Sequence, residues 1–258
     1  MKKFIAIALV LVLALGVFAG CGSKKEETAT TLKTVTPGKL TMATNAYFAP
    51  YEYYDGDKIV GIDAEIAAAI AKELGLELVI NDMEFDSIIT AVKGGSADFG
   101  LAGMTVSEDR LKEIDFSISY ASGVQSIIVK EGSPIKSADD LAAEGATYKI
   151  GVQLGTTGDQ YATGDFGDER VVQYTKGNEA VVALLGGDID CVIIDNEPAK
   201  AFVANNEGLT ILETAYADED YAACVAKTNP ELKKAIDAAI KKLTENGTID
   251  AIVAKYIK

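Results

Sequence analysis

The chain has 258 residues, enough for one large domain or two moderate ones, and 48% of them are hydrophobic, enough for a substantial core. Its 39 acidic and 24 basic side chains leave a formal charge of −15, which argues against a nucleic-acid partner, since such proteins present a basic face. Histidine is absent, which removes the commonest general base and metal ligand, and neither metal nor cofactor is expected.

Lys2 and Lys3 precede an apolar run from Phe4 to Phe18, and Ala19-Gly20-Cys21 follows. A charged start, an apolar centre and small residues before a cut site mark residues 1–20 as an export signal. The run is short for a membrane span. The segment resembles a bacterial lipobox, in which the cysteine, here Cys21, becomes the lipidated N-terminus; Phe18 stands where leucine is usual. An ordinary signal peptide with an incidental cysteine is the plainer alternative. Two or more acyl chains anchor stably, at about 0.8 kcal/mol per buried methylene. Residues 21–37 are polar and aperiodic, a flexible tether.

Lys39 to Ala43 reads as a strand that opens into a loop over residues 44–51, punctuated by Pro50. Tyr51 to Val60 reads as a hairpin around Asp55-Gly56, whose aspartates lack the full ligand spacing of a calcium loop. Asp63 is expected to cap a helix with Ile66, Ile70 and Leu74 on one face and Gly75 as its stop. A strand over Leu76 to Ile80 follows. Ser107 caps the next helix, with Glu108 and Asp109 suited to its dipole. Ile114 to Tyr120 leads to Val124 to Val129, read as a first crossing between lobes.

Beyond it, Ser137 starts a short helix, Tyr148 to Val152 is a strand, and Gly155-Thr156-Thr157 opens another helix. Val171 to Tyr174 and Leu209 to Leu212 are strands, and Glu197 to Ala204 a helix. The chain recrosses near Glu213 to Asp220, and Tyr221 to Ala226 returns as a strand. Asn229-Pro230 begins a long helix with Leu232, Ile236, Ile240 and Leu243 on its buried stripe. Gly247 stops it, and Thr248 to Ile257 is a last helix. This alternation predicts two α/β lobes joined by two crossings: residues 38–125 with 217–258, and residues 126–216. Cys191 and Cys224 then fall in different lobes, as free buried thiols.

Two stretches read alike. Asp86 to Phe99 and Asn178 to Cys191 each run through a capping residue, a short apolar helix, a Gly-Gly stop and an aspartate two residues on. A strand follows each, ending at Gly103 in one and at Asp195 in the other. Ligands of open α/β sheets gather at the carboxyl ends of strands, so two such ends predict one cleft between two lobes.

Gly61 to Leu74, Asn45-Ala-Tyr-Phe-Ala-Pro-Tyr-Glu52, Gly103-Met-Thr-Val-Ser-Glu-Asp-Arg110, Gly155-Thr-Thr157 and Ile193-Ile-Asp195 follow a lipobox-like leader. Together they are similar to the motifs of bacterial extracellular solute-binding proteins of family 3, over essentially the whole mature chain. The resemblance implies a two-lobed, periplasmic-binding-protein-like fold of type II. It implies an amino-acid receptor, not an enzyme, that closes on a free L-amino acid and delivers it to the membrane subunits of an ABC importer. With Cys21 acylated, the expected place is the extracytoplasmic face of the cell membrane, and the expected state a monomer.

A free amino acid presents a carboxylate and an ammonium, and burying either unpaired costs several kcal/mol. The planar fork of Arg110 suits the carboxylate; on residues alone it could equally be a surface arginine paired with Glu108 or Glu113. Thr156 and Thr157 sit at a helix start where an anion is welcome, or serve as a simple cap with Asp159. The resemblance makes Asp195 the ammonium acceptor, helped by the Gly103 carbonyl and the Thr105 hydroxyl; a helix cap is its alternative. It also places Phe48 and Phe85 beside the substrate side chain, with Asn45 and Gln153 across the cleft. Two neutral amides favour an uncharged polar side chain, while Glu84 lies in reach of a cationic one. The rival functions are a dehydratase of aromatic-acid synthesis on the same fold and a sensory amino-acid receptor.

Overall fold

The structure, a computed structural model, describes residues 32–213 and 216–257. The export signal and Cys21 lie outside the described residues, as does most of the tether.

The first half builds β1 (Lys39–Thr44), β2 (Tyr47–Phe48), β3 (Glu52–Asp55), β4 (Lys58–Val60), α1 (Ile62–Leu74) and β5 (Glu77–Asp82). A single 3-10 turn, Phe85–Ser87, then leads into α2 (Ile88–Gly94), β6 (Phe99–Gly100), α3 (Glu108–Glu113) and the sixteen-residue β7 (Asp115–Lys130). The second half adds α4 (Ala138–Ala142), β8 (Ile150–Gln153), α5 (Thr157–Phe166), β9 (Val171–Tyr174), α6 (Gly177–Gly186) and β10 (Cys191–Asp195). After it come α7 (Asn196–Asn205), β11 (Leu209–Ile211), β12 (Ala217–Val225), α8 (Pro230–Glu245) and α9 (Thr248–Tyr256).

One sheet runs β5-β1-β6-β12-β7-β10-β8-β9, with β11 also on β7, and β2-β3-β4 form a separate small sheet. β1 is parallel to β5 and β6, and β8 to β10 and β9. Each parallel group is one lobe. Between them lie β7 and β12, antiparallel to each other from Gln125/Ala217 to Asp115/Val225. The first crossing is therefore one continuous strand, where the sequence pattern suggested two runs.

Each lobe has its own apolar filling. In lobe 1, Leu40 and Met42 of β1 meet Ile62, Ile66 and Ile70 of α1 and Leu232, Ile236 and Ile240 of α8. In lobe 2, Ile150 and Val152 of β8 pack with Ile127 of β7 and Ile193 of β10 on one face; Val181 and Leu184 of α6 cover the other. Fully burying such a side chain is worth about 1.5–3 kcal/mol. Cys191 and Cys224 are free and buried in separate clusters.

The two similar stretches adopt one design. Gly95 and Gly187 end α2 and α6 in the left-handed conformation, at φ of 76° and 87°. Asp98 N–H donates to the Thr41 carbonyl at 2.8 Å while Asp98 Oδ2 accepts from Thr41 N–H at 2.7 Å. Asp190 does the same with Lys149, at 2.8 and 2.7 Å. Each aspartate thus ties its own strand to the neighbouring parallel one.

Three local expectations are corrected. Asp86 lies within the 3-10 turn and Asn178 within α6, whose caps are Glu84 and Lys176, so neither aspartate nor asparagine is the cap. The strand expected to end at Gly103 ends at Gly100, because Leu101 to Thr105 turns away into the cleft. Asp63 does not cap α1: the cap is Gly61, at φ 123°, where a Cβ would lie 2.2 Å from the Tyr51 carbonyl oxygen. That close packing displaces Asp63 into the interior, where it serves the cleft instead.

Candidate ligand-binding cleft

Asn45, Phe48, Phe85, Gly103, Thr105, Arg110, Gln153, Thr156, Thr157 and Asp195 all line one cavity between the lobes. Asn45 follows β1 and Phe48 ends β2; Phe85 opens the 3-10 turn after β5, Gly103 and Thr105 lie in the loop after β6, and Arg110 is on α3. Gln153 ends β8, the threonines start α5, and Asp195 ends β10. The carboxyl ends of parallel strands in both lobes therefore point at the same space.

Arg110 is 5% exposed and pairs with neither Glu108 nor Glu113. The Ser107 hydroxyl accepts the Arg110 backbone N–H at 3.3 Å, which starts α3 and directs the side chain inward. Its Nη1 donates to the Thr105 carbonyl at 2.8 Å and its Nη2 to the Gly155 carbonyl of lobe 2 at 3.0 Å. The guanidinium lies over Phe85, 5.3 Å from the ring centre. Burial lowers its pKa, partly opposed by Glu219. Its hydrogen-bond partners are two neutral carbonyls, and Glu219 of the same cavity answers its charge without forming an ion pair, so a further anionic partner is favourable.

The N-terminus of α5 faces the same space. The Thr156 hydroxyl accepts from Asp159 N–H at 3.2 Å, so it is the cap, and Asp159 Oδ2 accepts from Gly155 N–H at 3.0 Å. The first amides of any helix have no intrahelical acceptor and favour negative charge. Across the cleft, the Thr157 and Thr105 hydroxyls are 3.3 Å apart, and Gln153 Nε2 donates to Asn45 Oδ1 at 2.9 Å.

Asp195 is 1% exposed. Its Oδ1 accepts from Glu197 N–H at 3.0 Å, so it does cap α7; its Oδ2 accepts from the Tyr221 hydroxyl at 2.5 Å and Val124 N–H at 3.2 Å. Burial raises its pKa to about 6, and these three donors oppose the rise. An ionised carboxylate has room for about four donors, so a further one fits. Gly123 makes the approach possible, since a Cβ there would lie 2.3 Å from the Tyr221 ring and 2.8 Å from Asp195 Oδ2.

The cavity also holds residues that the sequence reading passed over: Glu52, Gln125, Glu219 and Tyr221 among them. Gln125 Nε2 donates to Glu219 Oε2 at 2.9 Å, joining β7 to β12 behind the site. Glu52 is fully buried and neither carboxyl oxygen has a donor. Burial, then the neighbouring Asp63, hold its pKa well above the usual carboxylate range. Asp63 itself accepts Gly103 N–H and the Tyr120 hydroxyl, both at 2.8 Å, and burial raises it to about 6. The one available signal for Glu52 was its place closing the Asn45–Glu52 motif. Glu84, by contrast, is not part of the lining. Among the described residues no cluster of three or more acidic or cysteine side chains is arranged to hold a metal.

The chemistry of the cleft is thus a buried cation and a helix N-terminus beside buried carboxyls, on a two-lobed hinge: the design of a solute receptor. Residues 40–258 match the family model for bacterial extracellular solute-binding proteins, family 3, and the chain belongs to that family. It is 33% identical to the arginine-binding extracellular protein ArtP of Bacillus subtilis, over 99% of this chain and 98% of that one. It is 31% identical to the ABC transporter glutamine-binding protein GlnH of the same organism, over 100% and 98%. Among solved structures, an ancestral arginine-binding protein bound to arginine superposes with a TM-score of 0.79 at 38% identity, covering 86% of this chain and 99% of that one. The fold is the two-lobed type II architecture of periplasmic binding proteins.

Proposed function

We propose that the protein is a lipid-anchored receptor, not an enzyme, that binds a free L-amino acid in this cleft and hands it to an ABC importer. The observation that carries the reading is that buried Arg110 with the α5 N-terminus, and buried Asp195, open onto one cavity. A zwitterion supplies both missing partners. Its carboxylate meets Arg110 and the Thr156–Thr157 end of α5, which belong to different lobes; its ammonium meets Asp195, the Thr105 hydroxyl and the Gly103 carbonyl. The ligand thereby gains affinity for the closed form alone, which is what shifts a hinge equilibrium.

The side chain is polar and carries N–H donors. Asn45 and Gln153, which face each other across the cleft, fit an amide or another donor-bearing head group, and an aliphatic side chain would leave them without one. Relatives named for arginine and glutamine agree with this chemistry. Calorimetric titration with L-arginine and L-glutamine tests it. The expected result is binding of at least one by the wild type and a loss of about ten-fold or more in Gln153→Ala. Equal affinity for L-leucine overturns the polar assignment.

Anchoring through acylated Cys21 and the extracytoplasmic location rest on the leader pattern. Cys21→Ser should release the protein from membranes into the soluble fraction. Continued membrane association and lipid labelling of that variant contradict the anchor.

A further inference from the structure

The contacts that join the lobes inside the cavity, Arg110 to Gly155, Gln153 to Asn45 and Thr157 to Thr105, use groups that a bound solute itself would claim. A polar contact of a different kind lies outside it. Lys176, the residue before α6 in lobe 2, places Nζ 3.9 Å from the centre of the Tyr47 ring and 4.0 Å from Glu84 Oε1, both in lobe 1. Tyr47 and Glu84 immediately precede Phe48 and Phe85, the two aromatic residues of the lining. The seat is braced: Tyr47 packs on Tyr54 at 5.9 Å between ring centres, and the Tyr54 hydroxyl donates to Asp82 at 3.0 Å. Glu84 keeps its second oxygen buried and without a donor. Lys176 caps α6 only through its backbone, whose N–H donates to Glu179 at 3.3 Å, so its side chain has no part in starting the helix.

We propose that Lys176 is a closure latch, its ammonium settling between the Tyr47 face and Glu84 when the lobes meet and so slowing reopening around bound solute. A cation on an aromatic face is favourable, and here it neither touches the solute nor competes with it. Because the contact forms late, it belongs to the off-rate; the on-rate depends on the open form. The proposal rests on the cleft being the solute site.

The test is stopped-flow kinetics with L-arginine and L-glutamine. Lys176→Met, which keeps the apolar stem, should speed dissociation about three- to ten-fold with little change in association, whereas Lys176→Arg should stay close to wild type. Adding Tyr47→Leu and Glu84→Gln to Lys176→Met should have little further effect on dissociation. Unchanged dissociation in Lys176→Met overturns the latch while leaving the amino-acid reading intact. If neither amino acid binds the wild type, those substrates fail, and the latch is then decided by X-ray scattering of the protein alone. Lys176→Met should then be the more expanded, and identical profiles overturn the latch.

Discussion

Arg110 and Asp195 are each costly to bury, and each is incompletely answered by the protein. Arg110 donates to two neutral carbonyls, and Asp195 accepts three hydrogen bonds without a cation. Arg110→Ala should weaken amino-acid binding by roughly 3–5 kcal/mol, read by calorimetry, because it strands the ligand carboxylate. Asp195 gives a pH signature. Its pKa is raised to about 6, so lowering pH through 6 should weaken binding as the acceptor for the ammonium becomes protonated. The sign for stability is opposite. A carboxyl whose folded pKa lies above its unfolded value binds more protons when folded, so its contribution to stability falls as pH rises from about 4 to 6. The melting temperature of ligand-free Asp195→Asn, relative to wild type, should therefore be higher at pH 7.5 than at pH 4.5. A charge ending an apolar strand singles out Asp195 in the sequence, whereas Arg110 reads on residues alone equally as a surface arginine and is placed in the cleft only by the motif resemblance; the structure adds that both are buried. Asp63 was misread because an aspartate at a helix start ordinarily caps, and only the Gly61 packing shows why it does not. Glu52 was missed because a short hairpin gives no rule for which face is buried.

At the scale of elements, the two similar stretches are the instructive case. Their Gly-Gly stops and their aspartates do equivalent work, and the spacing alone carried that correspondence. The caps differ, because the 3-10 turn before α2 and the extended residue before α6 approach the helix from different directions. Asp98 accepts from both Val35 N–H and Thr41 N–H and is buried, whereas Asp190 accepts from Lys149 N–H and is exposed. Asp98→Ala should destabilise the protein by roughly 1–3 kcal/mol in urea unfolding, and Asp190→Ala by clearly less. The continuity of β7 was not legible, because Ser119 to Gly123 breaks its apolar pattern. Tyr120 in this stretch is buried in the lobe 1 core while Ser119 and Ser122 are exposed, and Gly123 lets the Tyr221 ring come close.

Across the whole molecule, the buried cores of the two lobes are distinct, with Phe48 packed against both, while β7 and β12 are shared, so the lobes can stay rigid as the connection between them bends. Ligand binding should then couple directly to stability, because the groups proposed to hold the solute also join the lobes. A solute at a hundred times its dissociation constant stabilises by about 2.7 kcal/mol, or roughly 5–10 °C in a chain of this size. The most direct test is a thermal-shift screen of the ligand-free protein against the twenty amino acids, cystine and ornithine. The prediction is a rise of that order with one or a few polar amino acids, abolished in Arg110→Ala. A melting temperature unmoved by every one of them would contradict the assignment of the cleft as an amino-acid site.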